Sequence, residues 1–207
     1  MAESSLQFLG ELAERSGQGA TGALDVRDGK RRWLFYLVDG ALAATRSNLK
    51  SEQAEALQAK KPGLTGAALH RAQALRRMRT ICRVAGAEWT FKDGSASKDA
   101  SPADLPSLVV RVVGAESDAE ALGVACAPVS EGFPAAVGDL SGLGVADPLA
   151  GYLQSLDGAR PGADVIDFAP GERADVLGAI WAAWKLGLVV LGEGSASEVS
   201  SVAAAGA

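Results

Sequence analysis

Between Gly22 and Asn48, apolar and polar positions fall into three short runs separated by two turn signals. Leu24 and Val26 alternate with polar neighbours. Trp33 to Val38 is a continuous aromatic and aliphatic run, and Ala41 to Ala44 is a small-residue return. Asp28-Gly29 and Asp39-Gly40 divide the runs. Such pairs favour tight hairpins, because the turn requires positive φ, which glycine adopts without steric cost. Three antiparallel strands are therefore expected. Trp33, Phe35 and Leu37 fall on one face of the middle strand and Leu34, Tyr36 and Val38 on the other, which predicts a strand covered by helices on both sides.

Elsewhere the spacing turns helical. Leu6, Leu9, Leu12 and Ala13 predict a helix over 4–15, ended by Gly17 and Gly19. Ser51 is read as the cap of a short helix, Glu52 to Lys60, stopped by Pro62-Gly63. Thr65 is read as the cap of a longer one reaching about Ala85, with Ala74, Met78, Ile81 and Ala85 on one side and Arg76, Arg79 and Arg83 on roughly the opposite side. Ala87 to Lys92 alternates as a closing strand with Trp89 and Phe91 together. Beyond it, Pro106 opens a helical run to Val113. Ser117 to Gly123 suits a short helix with Asp118 and Glu120 near its start. Periodicity otherwise fades over 114–146. Asp147-Pro148 starts a helix to about Leu156, Ala163 to Phe168 forms a short one, and a long one follows Pro170. Gly187 and an apolar strand, Leu188 to Leu191, complete the pattern.

Charge divides the chain where the pattern is interrupted. Residues 1–95 carry 15 Lys and Arg against 10 Asp and Glu, and residues 96–207 carry 5 against 15. The change falls in DGSASKDASPAD, residues 93–104, whose composition is that of a join. Four segments are expected: an α+β unit at 1–94, a linker at 95–104, a mainly helical unit at 105–192, and a low-complexity disordered tail at 193–207. A hydrophobic content of 48% supports a packed core. The N-terminus lacks a basic segment before an apolar run, and Val176 to Leu191 is broken by Lys185 and Gly187. A cytoplasmic protein without a membrane span is the expectation.

The arrangement of Gly22, Leu24 and Val26, then Trp33 to Ala44, then Gly86 to Phe91 resembles the bacterial PATAN-like domain family over about residues 4–94. These are residues that build a fold, and no chemistry is among them. The resemblance implies a non-enzymatic interaction or regulatory module in signalling systems such as surface motility and polarity. Members often accompany receiver domains, and no receiver pattern is read here. The closing helices and strand of the second half are similar to the winged-helix-like tail that often follows such domains.

Candidate chemistry is sparse. His70 is the lone histidine and has no Cys, Asp or Glu at ligand spacing, whereas a metal site needs three or four convergent ligands. Cys82 and Cys126 are far apart and read as buried, reduced thiols. Gly138 to Gly144 lacks the Lys-Ser/Thr of a phosphate loop. The Asp25/Asp28 and Asp164/Asp167 pairs read as solvated charge. No catalytic, cofactor or metal residue is assigned, and the chain is expected not to be an enzyme. The sharpest surface feature is the row Arg76, Arg79 and Arg83, with Arg71 and Arg77 nearby. Apart from a solvated helix face, it suits docking on the acidic second half or on an acidic protein partner. Nucleic acid fits less well, because the chain is acidic and the helix after Pro170 offers Glu172, Arg173 and Asp175 where a groove-reading helix needs bases. The expected function is a cytoplasmic adaptor or regulator in bacterial signalling acting through protein contacts. The alternative is a transcriptional regulator using the winged-helix-like unit or the basic helix. Oligomeric state is left open.

Overall fold

The computed structural model describes residues 3–94 and 103–192, so the expected tail and most of the expected linker lie outside the described residues. The fold is α+β. A helix α1 (Glu3–Gly17) precedes three strands, β1 (Gly22–Asp28), β2 (Arg31–Val38) and β3 (Ala41–Ser47). A 3-10 turn at Lys50–Glu52 leads into α2 (Ala54–Gln58), then α3 (Gly66–Cys82) and β4 (Glu88–Asp93). The four strands form an antiparallel sheet in the order β3-β2-β1-β4.

Both hairpins follow from their glycines. Asp39 and Gly40 have φ of 48° and 78°, the doubly positive turn that matches strand twist. In the other hairpin Asp28 pairs with Arg31, so the loop residues are Gly29 and Lys30, one position later than Asp28-Gly29 suggested. The predicted helix from Glu52 to Lys60 is shorter and starts later. Glu52 belongs to the 3-10 turn and is buried, Gln53 is the cap residue of α2, and Ser51 does not cap it. The helix after Thr65 ends at Cys82, leaving Ala85 exposed beyond it.

Among the described residues, helices cover only one face of the sheet. Leu24, Val26, Trp33, Phe35 and Leu37 are fully buried beneath helices, and Phe8 of α1 packs on Phe35 with ring centroids 5.5 Å apart. Leu34, Tyr36 and Val38 remain half-exposed on the opposite face, against the expectation of two-sided cover. The reason lies in β1, β4 and the start of β2 itself, which place Asp25, Arg27, Arg32 and Lys92 around that face. Charged side chains with their own ion pairs do not accept an apolar layer.

The second half holds α4 (Leu105–Glu116), α5 (Ala119–Ala125), α6 (Ala127–Glu131), β5 (Phe133–Ala136), α7 (Asp147–Gln154), α8 (Gly162–Phe168), α9 (Arg173–Lys185) and β6 (Val189–Gly192). Asp118 caps α5 by accepting the Ala121 N–H at 2.8 Å. α9 runs through the core, with every residue from Val176 to Ala183 buried. A single strand follows it among the described residues and pairs with β5, bracketing α7, α8 and α9. A wing would require a hairpin after the last helix, so the winged-helix ending rests on the resemblance alone.

The two halves share one apolar cluster, from Leu6 to Val189. α1 packs against α4 and α9, and α3 packs against α4. At the end of α1, a Cβ on Gly17 would run into the Leu186 carbonyl, so glycine is what lets the two backbones meet.

Candidate functional site

The arginine row of α3 is divided by the second half of the chain. Arg79 Nε donates to Glu116 Oε1 at 2.5 Å, and Arg83 donates through Nε and Nη2 to Glu116 Oε2 and Oε1, each at 2.7 Å. Glu116 ends α4, and its side chain is 8% exposed. Its carboxyl is held below the usual carboxylate range, first by the Arg83 hydrogen bonds and then by Arg79, against the opposing effect of burial. Two arginines of the row are thus spent on joining α3 to α4.

Arg76 is not part of that clasp. Its Nε is buried without a hydrogen-bond partner. It lines a groove of about 450 Å³ between α2 and α3, together with Lys60, Lys61, Arg79 and Arg83. Leu57, Leu64 and Leu75 form the apolar part of its wall. Five cations line this groove, and it keeps an excess of positive charge although Arg79 and Arg83 pair with Glu116. Arg71 and Arg77 leave the row altogether. Arg71 donates to the Ser107 hydroxyl at 2.8 Å. Arg77 is buried and donates to the Thr45 carbonyl at 2.6 Å and the Glu52 carbonyl at 3.1 Å, tying α3 to β3 and the 3-10 turn.

A second groove, of about 720 Å³, lies between α1, α5 and α9. Leu6, Gly10, Trp181 and Trp184 contribute its apolar surface, and Val124 stands beside them 75% exposed. Glu11, Glu14, Asp118 and Glu120 surround it. Lys185 crosses it, paired with Glu14 at 2.7 Å and lying 4.2 Å from the Trp184 ring centre. This rim is acidic, the reverse of the first groove. A third cleft of about 590 Å³ between α4, α7 and α9 carries Arg111 and Asp175 as its charged lining groups.

Asp25 forms a further cluster on the open face of the sheet. Its carboxylate accepts from Arg32 Nε at 2.8 Å, Arg27 Nη2 at 3.0 Å and Lys92 Nζ at 3.1 Å. The side chain is 3% exposed, and Arg32, ahead of Arg27 and Lys92, holds its carboxyl well below the usual range. The donors come from β1 itself (Arg27) and from the strands on either side of it (Arg32 of β2 and Lys92 of β4), and the two cross-strand bonds help lock the register of the sheet.

Neither cysteine is placed for chemistry. Burial pushes the thiols of Cys82 and Cys126 up to about 12, and Cys126 donates to the Leu177 carbonyl. His70 is exposed on α3. Among the described residues, no group of three or more His, Cys, Asp or Glu could hold a metal ion. No helix among them is long and apolar enough to cross a membrane.

Sequence reasoning found the three arginines but not Lys60 and Lys61, which complete their groove. Both lie beside the Pro62-Gly63 helix stop, where Lys60 marks only the end of the expected helix and Lys61 carries no reading. Glu116 carried no signal, since nothing local marks a carboxylate for two arginines 33 and 37 positions earlier. Scans against protein-family models, curated proteins and solved structures each return no match to this chain.

Proposed function

We propose that this protein is a non-catalytic adaptor that holds acidic and basic segments of other proteins in two separate grooves. The observation that carries this reading is the opposition of the grooves. One combines leucines with Lys60, Lys61 and Arg76, and the other combines tryptophans with Glu11, Glu14 and Glu120. An apolar surface with a charged border is what an amphipathic helix recognises, its apolar stripe filling the groove and its flanking charges meeting the border. Charge of opposite sign at the two sites sorts the partners, because the wrong segment meets like charge in either groove.

The resemblance over residues 4–94 supports placing this adaptor in bacterial signalling, with motility or polarity as the setting. The transcriptional alternative has less support. α9, the helix that would enter a DNA groove, is buried over most of its length, and Arg173 at its start pairs with Asp167 at 2.8 Å.

The reading is tested with an amphipathic Leu/Glu peptide as probe, by fluorescence anisotropy. Lys60→Glu with Lys61→Glu is expected to weaken its binding at least about tenfold while leaving a Leu/Lys peptide unaffected. Equal binding of both peptides by the parent and the double variant, or turnover of a small molecule by purified protein, would remove the reading.

A further inference from the structure

β4 is an edge strand of the sheet among the described residues. The register of β4 against β1 sets which backbone groups are free. Gly94 N–H donates to the Thr21 carbonyl at 3.0 Å, and the pairing continues as Lys92 with Ala23, Thr90 with Asp25 and Glu88 with Arg27. Hydrogen-bonded pairs alternate along an antiparallel ladder. The backbone groups of residues 88, 90 and 92 therefore point to β1, and those of Trp89, Phe91 and Asp93 point away from the sheet.

The side chains alternate in the same way. Trp89 and Phe91 lie on the helix-covered face, where Trp89 meets Phe8 edge-on and the Arg15 guanidinium lies 4.8 Å from the Phe91 ring centre. Both aromatics are only half-buried, and no strand lies beyond β4 in the sheet among the described residues. Glu88, Thr90 and Lys92 lie on the open face and are exposed.

We propose that two copies of this chain pair through β4, antiparallel and centred on Thr90, to make a continuous eight-stranded sheet. In this register Trp89 lies opposite the second copy's Phe91, and the outward backbone groups of both are the ones that bond. Glu88 lies opposite Lys92, twice, at the non-hydrogen-bonded positions where side chains approach most closely. The strand Glu-Trp-Thr-Phe-Lys is thus self-complementary in backbone, aromatic surface and charge together. A shift of two residues in either direction separates both ion pairs and brings one aromatic opposite itself. Lys92 stays within reach of Asp25, so each ion pair extends the cluster that fixes β1 in place. Short strand pairs are small interfaces, and the dimer is expected to dissociate on the order of micromolar concentration. The inference stands on β4 alone and does not depend on either groove.

The test is sedimentation velocity over the micromolar range with the full chain. The parent protein should pass from monomer to dimer. Glu88→Lys sets lysine against Lys92 twice and should weaken the dimer at least tenfold. Lys92→Glu sets glutamate against Glu88 twice and should do the same. A mixture of the two variants restores both attractive pairs and should form the heterodimer. As a check that does not depend on the substitutions, the Trp89 and Phe91 amides of the parent should exchange more slowly with deuterium as concentration rises. A parent that stays monomeric throughout would overturn the proposal. So would a dimer that survives Glu88→Lys with the Trp89 and Phe91 amides still exchanging freely.

Discussion

Asp25 gathers Arg27, Arg32 and Lys92 around one carboxylate on the open sheet face. It is almost fully buried, and its cations are about half-exposed, so removing its charge costs less than breaking a fully buried pair. Asp25→Asn is expected to destabilise the fold by about 2 kcal/mol near neutral pH. Because the folded carboxyl titrates below its unfolded value, this contribution is complete above about pH 5 and is lost as pH falls through the folded value. Urea titrations at several pH values should show a constant difference between parent and variant above pH 5 that shrinks in acid. A difference that grows in acid would reverse the assignment. Arg77 is held more deeply. Arg77→Met would remove the cation 3.9 Å from the buried Glu52 carboxylate, which accepts from the Trp33 indole at 3.0 Å, and strip Thr45 of its partner. A loss of about 3–5 kcal/mol is expected in the same titrations. Cys82 and Cys126 should resist iodoacetamide at pH 8 in the native protein and react fully in guanidinium, since alkylation needs the thiolate. Mass spectrometry reads this directly, and rapid native labelling would contradict the burial assigned to them.

At the scale of elements, the contact between α1 and the end of α9 has no slack. Gly17→Ala drives a methyl group into the Leu186 carbonyl and should cost about 2 kcal/mol, measured as a lower denaturation midpoint. The Glu116 clasp is softer, because Arg79 and Arg83 remain 40% and 63% exposed. Glu116→Gln should cost about 1 kcal/mol, and added salt should narrow the difference from the parent. The strands of the four-stranded sheet and β6 were legible in the sequence because their signals are local, namely apolar runs or alternation and glycine at turns that need positive φ, whereas β5 lies where the periodicity fades and shows no such signal. The helices at Pro106 and Asp147-Pro148 announced themselves by proline in the first turn, whereas α9 begins at Arg173, three residues after the Pro170 expected to start it. What was not legible depended on distant residues. The apolar outer face of β2 suggested cover on both sides, and only the pairing of β1 with β2 and β4 shows the ion cluster that keeps that face open. Ser51 looked like a cap because the sequence does not show that Glu52 is drawn inward by Trp33 and Arg77.

For the whole molecule, the charge difference between the halves was visible, but its use was not. Arg79 and Arg83 go to Glu116, Lys185 to Glu14 and Arg71 to Ser107, each across more than 30 positions of chain. With these contacts satisfied, Arg76, Lys60 and Lys61 give one groove its charge, and Glu11 and Glu120 help give the other its opposite. The account stands on those two grooves taking different partners. Photo-crosslinking in cells tests it most directly, with benzoylphenylalanine placed at Leu57 in the first groove, at Val124 in the second, and at exposed Glu131 as a control. The account predicts adducts at Leu57 with Asp/Glu-rich amphipathic segments and at Val124 with Lys/Arg-rich segments of another protein. The same set of proteins at all three positions would contradict it.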